Sequence, residues 1–252
     1  MKKTTRRQIL HQSALVAGVS LGLPWASATA ETDSQISTGK LKVMVVGAHP
    51  DDPESGCGGT MRRYADLGHE VVAVYFTRGE AGIPGKTYEE AAKIRTAEAE
   101  NACKILHARP VFFGQIDGNT KTDAETYDAF FQLIDREKPH ICFAHWPIDT
   151  HRDHRTASLH VYDAWMRSEH SFALYYFEVM TGQQSQNFHP SLFIDITETE
   201  AQKREACYAH ASQGPDHFYA HHDKMNQFRG YDGGFPYAEA FIPHTQSSQI
   251  PL

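Results

Sequence analysis

The feature that most constrains the fold is the alternation of short apolar runs with amphipathic segments along residues 41–145. The runs LKVMVVGA (41–48), EVVAVYFT (70–77), RPVFFG (109–114) and HICFAH (140–145) have the length and composition of strands buried on both faces. Residues 56–67, 87–106 and 124–137 have the apolar spacing of helices. This alternation predicts an α/β fold: a Rossmann-like, doubly wound, mostly parallel sheet with helices on both faces.

The second half of the chain gives a weaker pattern. Residues 155–168 and 198–212 are predicted to be helical, and LFIDI (192–196) is predicted to be a late strand. Beyond Gly214 the chain is rich in histidine, glycine and aromatic residues without a clear period, which predicts an irregular segment lying over the site. In an open sheet of this kind, ligands bind at the carboxyl ends of the strands.

Residues 1–30 have the three-part organisation of an export signal. A basic start containing Arg6-Arg7 precedes the apolar run SALVAGVSLGLPW, which is too short to span a bilayer, and small residues follow at 28–30. We therefore predict a signal peptide of the twin-arginine type at 1–30, a single domain at 31–252, and a periplasmic or secreted protein. The alternative is an uncleaved amphipathic N-terminus.

Charge and cysteine usage restrict the function classes. Removing residues 1–30, which hold four cations and no acid, takes the formal net charge from −7 to −11. Such a surface disfavours binding to nucleic acids and anionic membranes, and no later stretch is apolar enough to span a membrane. The four cysteines are scattered without a CxxC pair, so we expect buried thiols, although export would permit disulfides.

Two clusters of histidine and aspartate directly follow predicted strands. The first, AHPDDPE at 48–54, contains His49, Asp51 and Asp52. Adjacent carboxylates repel each other unless a cation lies beside them, which indicates a metal. The alternative is a helix N-cap, which accounts for one aspartate but not for the imidazole and the second acid.

The second cluster, HWPIDTHRDH at 145–154, includes His151 and His154 and follows the fourth predicted strand. Alone it could be a surface turn, but the sheet topology brings both clusters to one edge. Two imidazoles, a carboxylate and an open fourth position form the ligand set of catalytic zinc. The sequence therefore predicts a catalytic metal site at this edge.

AHPDDPES, HRDH and the later RGYDGGFPYAEAF resemble the PIG-L/LmbE-like zinc deacetylases, which act on N-acetylglucosamine-containing molecules. The resemblance extends from about residue 42 to residue 241 and implies metal ligands, a general base and an oxyanion partner. The implied metal ligands are His49, Asp52 and His154. The implied general base is Asp51, and the implied oxyanion partner is a protonated His151. The implied ion is Zn²⁺, with Fe²⁺ as an alternative in the cell.

Two aspartates beside these positions have alternative interpretations. Asp153 could hold the His151 imidazole in place, or could form a structural ion pair with Arg152 or Arg155. Some relatives carry a tyrosine where this chain has Asp149, so Tyr231 or Tyr237 could substitute for it.

Several residues outside these clusters are candidates for the pocket. The resemblance implies that Arg78, Glu80 and Asp117 bind substrate, each with a turn as the alternative. Arg95 and Glu98, spaced i, i+3 on a helix, are interpreted as a stabilising pair, with a substrate clamp as the alternative. His217, His221 and His222 are interpreted as solvated or pocket-rim residues, and a second metal site is the less favoured alternative.

The predicted function is hydrolysis of an N-acetyl group on an N-acetylglucosamine-type amino sugar or glycoconjugate by metal-activated water. The expected partner is this small molecule, with possible homo-oligomerisation. One alternative is an amidase for a larger acyl amide, and another is a metal-binding or carbohydrate-binding protein without turnover. A nucleotide-binding Rossmann protein is disfavoured because HPDDPESGCGG replaces a GxGxxG motif after the first strand.

Overall fold

The computed structural model describes residues 39–247, so the predicted signal peptide lies outside the described residues. Strands and helices alternate through the first five strands. The strands are β1 (Lys42–Gly47), β2 (Glu70–Tyr75), β3 (Arg109–Phe112), β4 (Ile141–His145), β5 (Ala173–Phe177), β6 (Leu192–Asp195) and β7 (Ala238–Pro243). The helices are α1 (Asp52–Asp66), α2 (Tyr88–Ile105), α3 (Ala124–Glu137), α4 (Arg152–Arg167), α5 (Glu200–Tyr208) and α6 (Pro215–Gly233), with a 3₁₀ turn at Ala211–Gln213.

The seven strands form one sheet in the order β3-β2-β1-β4-β5-β7-β6. The first five strands are mutually parallel, and β7 runs antiparallel between β5 and β6. The predicted doubly wound, mostly parallel sheet is therefore confirmed. Because β1 to β5 point the same way, the loops that follow them meet at one edge.

Alternating strand residues supply two separate cores, one on each face of the sheet. Val43 and Val45 of β1 belong to the core that also contains residues of α1, α2 and α5. Met44 and Val46 belong to the opposite core, which contains residues of α3 and α4. Side chains of a strand point alternately to the two faces, so a strand covered on both faces must be apolar throughout.

The region after Gly214 is not irregular as predicted. It forms α6, which begins at Pro215 and ends at Gly233, followed by β7. The buried residues of α6 are Tyr219, His222, Asn226 and Gly230. These positions have helical spacing, but most of them are polar or small, so hydrophobic periodicity could not reveal the helix.

Two helices begin closer to the strands than predicted. Helix α1 begins at Asp52, not residue 56, and α4 begins at Arg152, not residue 155. Consequently, both histidine and aspartate clusters lie at helix N-termini. Strand β5 was not anticipated either, although ALYYF is a continuous apolar run that is fully buried.

A buried ion pair joins α5 to β7 beneath α1. Lys203 Nζ lies 2.6 Å from Glu239 Oε1, and both side chains are 1% exposed. Glu239 also accepts hydrogen bonds from the backbone N–H groups of Gly59 (3.0 Å) and Thr60 (2.8 Å). One carboxylate therefore satisfies three buried donors from two helices.

Replacing Glu239 with alanine should destabilise the protein by about 3–5 kcal/mol, because Lys203 would remain as an uncompensated buried charge. Chemical denaturation of the variant and the wild type measures this change. Arg167→Ala is the matched control, since its ion pair with Asp128 is more than half exposed on both sides and contributes little. Equal midpoints for Glu239→Ala and wild type would contradict the assigned role.

All four cysteines are buried and free, in agreement with the expected buried thiols. Within residues 39–247, no helix combines the length and apolar character needed to cross a membrane.

Candidate active site

A cavity of about 540 Å³ opens at the carboxyl edge of the parallel strands. The loops after β1, β2, β3, β4 and β5 all contribute to its wall, and residues 213–222 cover one side. The lining residues are His49, Asp51, Asp52, Ser55, Ala81, Gly82, Arg95, Asp117, Gly118, His151, His154, Val179, Met180, Gln184, Gln213, Phe218 and His222. Both sequence clusters thus converge on one space, as the topology predicted.

The three predicted metal ligands lie side by side. His49 Nδ1 is 3.3 Å from Asp52 Oδ2, and His154 Nε2 is 3.4 Å from Asp52 Oδ1. The two imidazole centroids are 5.3 Å apart. Although burial alone would raise the pKa of Asp52, the neighbouring His154 and His145 hold it well below its usual range. The carboxylate is therefore charged and faces two imidazoles.

These separations fit a divalent ion. With metal–ligand bonds of about 2.0–2.2 Å in tetrahedral geometry, ligand atoms lie about 3.3–3.6 Å apart. Each contact of Asp52 has that spacing, the one with His49 through Oδ2 at 3.3 Å and the one with His154 through Oδ1 at 3.4 Å. Two groups of described residues that contain His154 have donor atoms all within 4.8 Å of one another: His49, His151 and His154, and Asp52, His145 and His154. The three predicted ligands are therefore divided between two groups that share His154. The donor set therefore suits a first-row ion such as zinc.

Carboxylates lie behind both imidazoles. Asp149 Oδ1 is 3.3 Å from His154 Nδ1, and Asp117 Oδ1 is 3.2 Å from His49 Nε2. A carboxylate on the far nitrogen fixes the orientation of a ligating histidine and increases its basicity. Burial alone would lower the pKa of His49, but its contacts with Asp117, Asp153 and Asp52 raise it well above the usual value.

Asp153 does not hold His151 as the sequence suggested. Its side chain accepts hydrogen bonds from Gly118 N and Thr120 Oγ1, both at 2.7 Å, and lies 3.5 Å from His49 Nε2. The alternative pairing with Arg152 is also present at 3.7 Å. Asp153 lies at the N-terminus of α4, and its carboxylate points toward the loop after β3. The sequence alone does not indicate this direction.

Asp51 is the N-cap of α1 but does not act as a cap. Its backbone is left-handed, with φ 115°, and its side chain makes no capping hydrogen bond. Instead, Asp51 Oδ2 accepts a hydrogen bond of 3.1 Å from Arg95 Nη2. Burial raises the pKa of Asp51 to about 6, against the lowering effect of Arg95. The N-cap interpretation therefore fails, and the strained backbone is typical of a functional position.

His151 caps α4 and faces the cavity. Its Nδ1 accepts a hydrogen bond of 3.3 Å from Asp153 N, so the proton of the neutral ring lies on Nε2. Burial, together with His49 and His154, lowers the pKa of His151. This disagrees with the predicted protonated imidazole, yet a neutral Nε2–H can still donate a hydrogen bond to an oxyanion.

Of the three predicted substrate-binding residues, Asp117 lines the cavity, and Arg78 and Glu80 do not. Asp117 lines the cavity, with Oδ2 accepting from Ala81 N at 3.2 Å. Arg78 lies outside the cavity lining, because its guanidinium donates to Thr96 Oγ1 and stacks over the Phe112 ring. Glu80 is buried and braces the loops after β2 and β3 by accepting from the backbone N–H groups of Arg78 and Asp117.

Neither tyrosine considered as a substitute at Asp149 lines the cavity. Tyr231 is 84% exposed, and Tyr237 packs against a hydrophobic core. The Asp149 side chain accepts from His151 N at 2.7 Å and from Ser185 Oγ at 3.1 Å, so it orders the second cluster.

The histidines of α6 do not form a metal site. Among the described residues, the groups that could hold an ion exclude His217, His221 and His222. His222 instead lines the cavity and accepts from Met180 N at 3.4 Å. The pocket-rim interpretation therefore agrees with the position of His222, but His217 and His221 do not line the cavity.

Sequence reasoning missed Arg95 and His145. Arg95 does not pair with Glu98, which accepts instead from Ser212 N and Oγ, both at 2.7 Å. The sequence does contain an indication that Arg95 is functional. Arg95 has the helical spacing of the buried residues of α2, where a cation is unusual; these are Ala91, Arg95, Ala99 and Ala102. His145, the last residue of β4, is fully buried and lies 3.2 Å from Asp52 Oδ2.

The fold and the cavity define an α/β protein with a His/Asp donor set, suited to a divalent ion, at the carboxyl edge of a mostly parallel sheet. Residues 44–165 match the model of the PIG-L family, described as GlcNAc-PI de-N-acetylase. Residues 44–165 are therefore identified as a PIG-L family domain.

One relative is similar to this chain in sequence, and two solved structures are similar to it in fold. The diacetylchitobiose deacetylase of Thermococcus kodakarensis is 27% identical over 191 residues, covering 69% of this chain and 71% of the relative. The N,N'-diacetylchitobiose deacetylase structure from Pyrococcus horikoshii has a TM-score of 0.72 at 23% identity, covering 81% of this chain and 83% of that chain. GalB, the 4-carboxy-2-hydroxymuconate hydratase of Pseudomonas putida KT2440, has a TM-score of 0.74 at 22% identity, covering 84% and 99%. The two structures share the fold with this chain.

Proposed function

We propose that this protein is a metal-dependent hydrolase that removes an N-acetyl group from an N-acetylglucosamine-type amino sugar or glycoconjugate. The observation that carries the proposal is the position of Asp51. Its carboxylate makes no capping hydrogen bond to α1 and lines the same cavity as the metal-binding donor set. The similarity to diacetylchitobiose deacetylase supports the substrate class. Because the hydratase GalB has the same fold, the proposal rests on the site and not on the fold alone.

Each residue of the site has a role in this reaction. His49, Asp52 and His154 would hold the ion, which when bound polarises the acetyl carbonyl and makes water more acidic. Asp51 accepts the proton of the attacking water and later returns it to the departing amine. His151 Nε2–H donates to the carbonyl oxygen as negative charge develops there. Asp117 is placed to accept a hydrogen bond from a sugar hydroxyl.

Release of the free amino sugar from a panel of N-acylated sugars, measured with added Zn²⁺ and after chelation, tests this function. The panel contains N-acetylglucosamine, diacetylchitobiose and matched N-propionyl and N-butyryl sugars, which release acetate, propionate and butyrate respectively. We expect hydrolysis that depends on the ion and becomes slower as the acyl group lengthens. Preference for the longer acyl groups would favour an amidase, and ion binding without release from any member would favour a binding protein. Release that persists after complete removal of metal would contradict the metal-dependent mechanism.

We also propose that the protein acts outside the cytoplasm, on the support of the sequence of residues 1–30 alone. Sequencing the N-terminus of the protein from its native host tests this. A mature chain that begins at residue 31 is expected, and recovery of the intact leader from the cytoplasm would oppose the proposal.

A further inference from the structure

Arg95 is the least expected charged residue at the cavity. Its side chain is 4% exposed and reaches the loop after β1 from the middle of α2. Nη2 donates both to the backbone carbonyl of Pro50 and to Asp51 Oδ2, the latter at 3.1 Å. The guanidinium therefore holds the main chain and the side chain of the strained turn at once.

The loop after β2 has the shape needed to accommodate this guanidinium. A Cβ added to Gly79 would lie 2.4 Å from Arg95 Nη1, and a Cβ added to Gly82 would lie at the same distance. Gly79 has a positive φ of 69°, so conformation alone accounts for glycine there. Gly82 does not adopt a left-handed conformation, so at Gly82 the close approach of Arg95 is the reason for glycine.

We infer that Arg95 is a positioning residue that fixes the carboxylate of Asp51, and that Gly82 provides the space for it. This inference rests on the proposed function. Among the described residues, Oδ2 of Asp51 is bound by Arg95 while Oδ1 has no hydrogen-bond partner, so Oδ1 is the oxygen left to take a proton. A single fixed orientation removes the entropy of rotating the carboxylate into place, and small misplacements of catalytic groups are costly.

Steady-state kinetics of Arg95→Met with added Zn²⁺ test the inference first. We expect kcat to fall by about 10²-fold with little change in KM and with unchanged metal content, because the group acts through the base and not on bound substrate. Arg95→Lys should recover only part of the activity, since an ammonium lacks the planar fork that spans two acceptors. A rise in KM with unchanged kcat would overturn the inference and make Arg95 a substrate contact.

Arg62→Met is the matched control. Arg62 also donates to a backbone carbonyl, that of Ile105, and to a carboxylate, that of Asp66, each at 2.9 Å, but it lies outside the cavity lining. Its replacement should leave kcat unchanged. An equal loss in both variants would indicate a general structural effect and would overturn the specific role.

A double-mutant cycle with Asp51→Asn separates positioning from other effects. If Arg95 acts through Asp51, Arg95→Met should cause no further loss of kcat in the Asp51→Asn background. Multiplied losses would overturn the inference. Gly82→Ala keeps the guanidinium but displaces it, so this variant should also lower kcat. It replaces Arg95→Met as the test of positioning if Arg95→Met does not fold.

Crystal structures of wild type, Arg95→Met and Gly82→Ala supply a readout independent of turnover. We expect the Asp51 carboxylate to rotate or become disordered in both variants. An unchanged carboxylate would overturn the inference even if the substrate panel gave no acetate, whereas a moved carboxylate without any acetate release would uphold the inference and reject the proposed function.

Discussion

Replacing Asp51 with asparagine should reduce acetate release by at least about 10²-fold, the usual cost of losing a general base. Asparagine has nearly the same shape and can still accept a hydrogen bond from Arg95, but its amide cannot take a proton from water at neutral pH. The metal ligands are untouched, so metal content should equal that of wild type. Rates on the best panel substrate and metal analysis of the same preparation give both quantities.

Asp128→Asn is the control for this substitution, because Asp128 is an exposed acid paired with Arg167 away from the cavity. It should have wild-type activity. Undiminished turnover in Asp51→Asn would remove Asp51 from the mechanism, and loss of the metal would show that Asp51 is a ligand and not the base.

Replacing His154 with alanine should abolish both metal retention and activity. His154 is one of three proposed ligands, and loss of an outer partner alone typically costs about 10–100-fold in metal affinity, so loss of a ligand should cost more. The Asp52 carboxylate would also lose a neighbouring imidazole at 3.4 Å. Metal content per chain after dialysis, together with the rate of acetate release, measures the effect.

His217→Ala is the matched histidine control, since His217 is exposed on α6 and does not line the cavity. It should retain the same metal content as wild type. Full occupancy in His154→Ala would refute the ligand assignment, and a lower metal content in His217→Ala would revive a second site on α6.

Apolar spacing predicts most helices of this chain but not the charged and polar residues that are buried within them. Helix α2 was predicted from its apolar spacing, but Arg95 lies in its buried stripe, and only the structure shows that Pro50 and Asp51 balance that charge. Helix α6 was missed because residues such as His222 and Asn226 form its buried face. Burial of polar groups depends on distant partners, which spacing along one segment cannot supply.

The sequence by itself determined the mostly parallel sheet and the edge at which the two histidine and aspartate clusters meet. Apolar strands at a regular interval require a sheet covered on both faces, and parallel strands bring their following loops, with His49 and His154, to one edge. The tertiary structure alone decided the partners behind the site: Asp149 behind His154, Asp153 near His49 in place of His151, and Arg95 on Asp51. The physical reason is the distance along the sequence over which each interaction acts. Strand and helix preferences depend on residues close in the sequence, whereas side-chain pairs across loops depend on how whole elements pack.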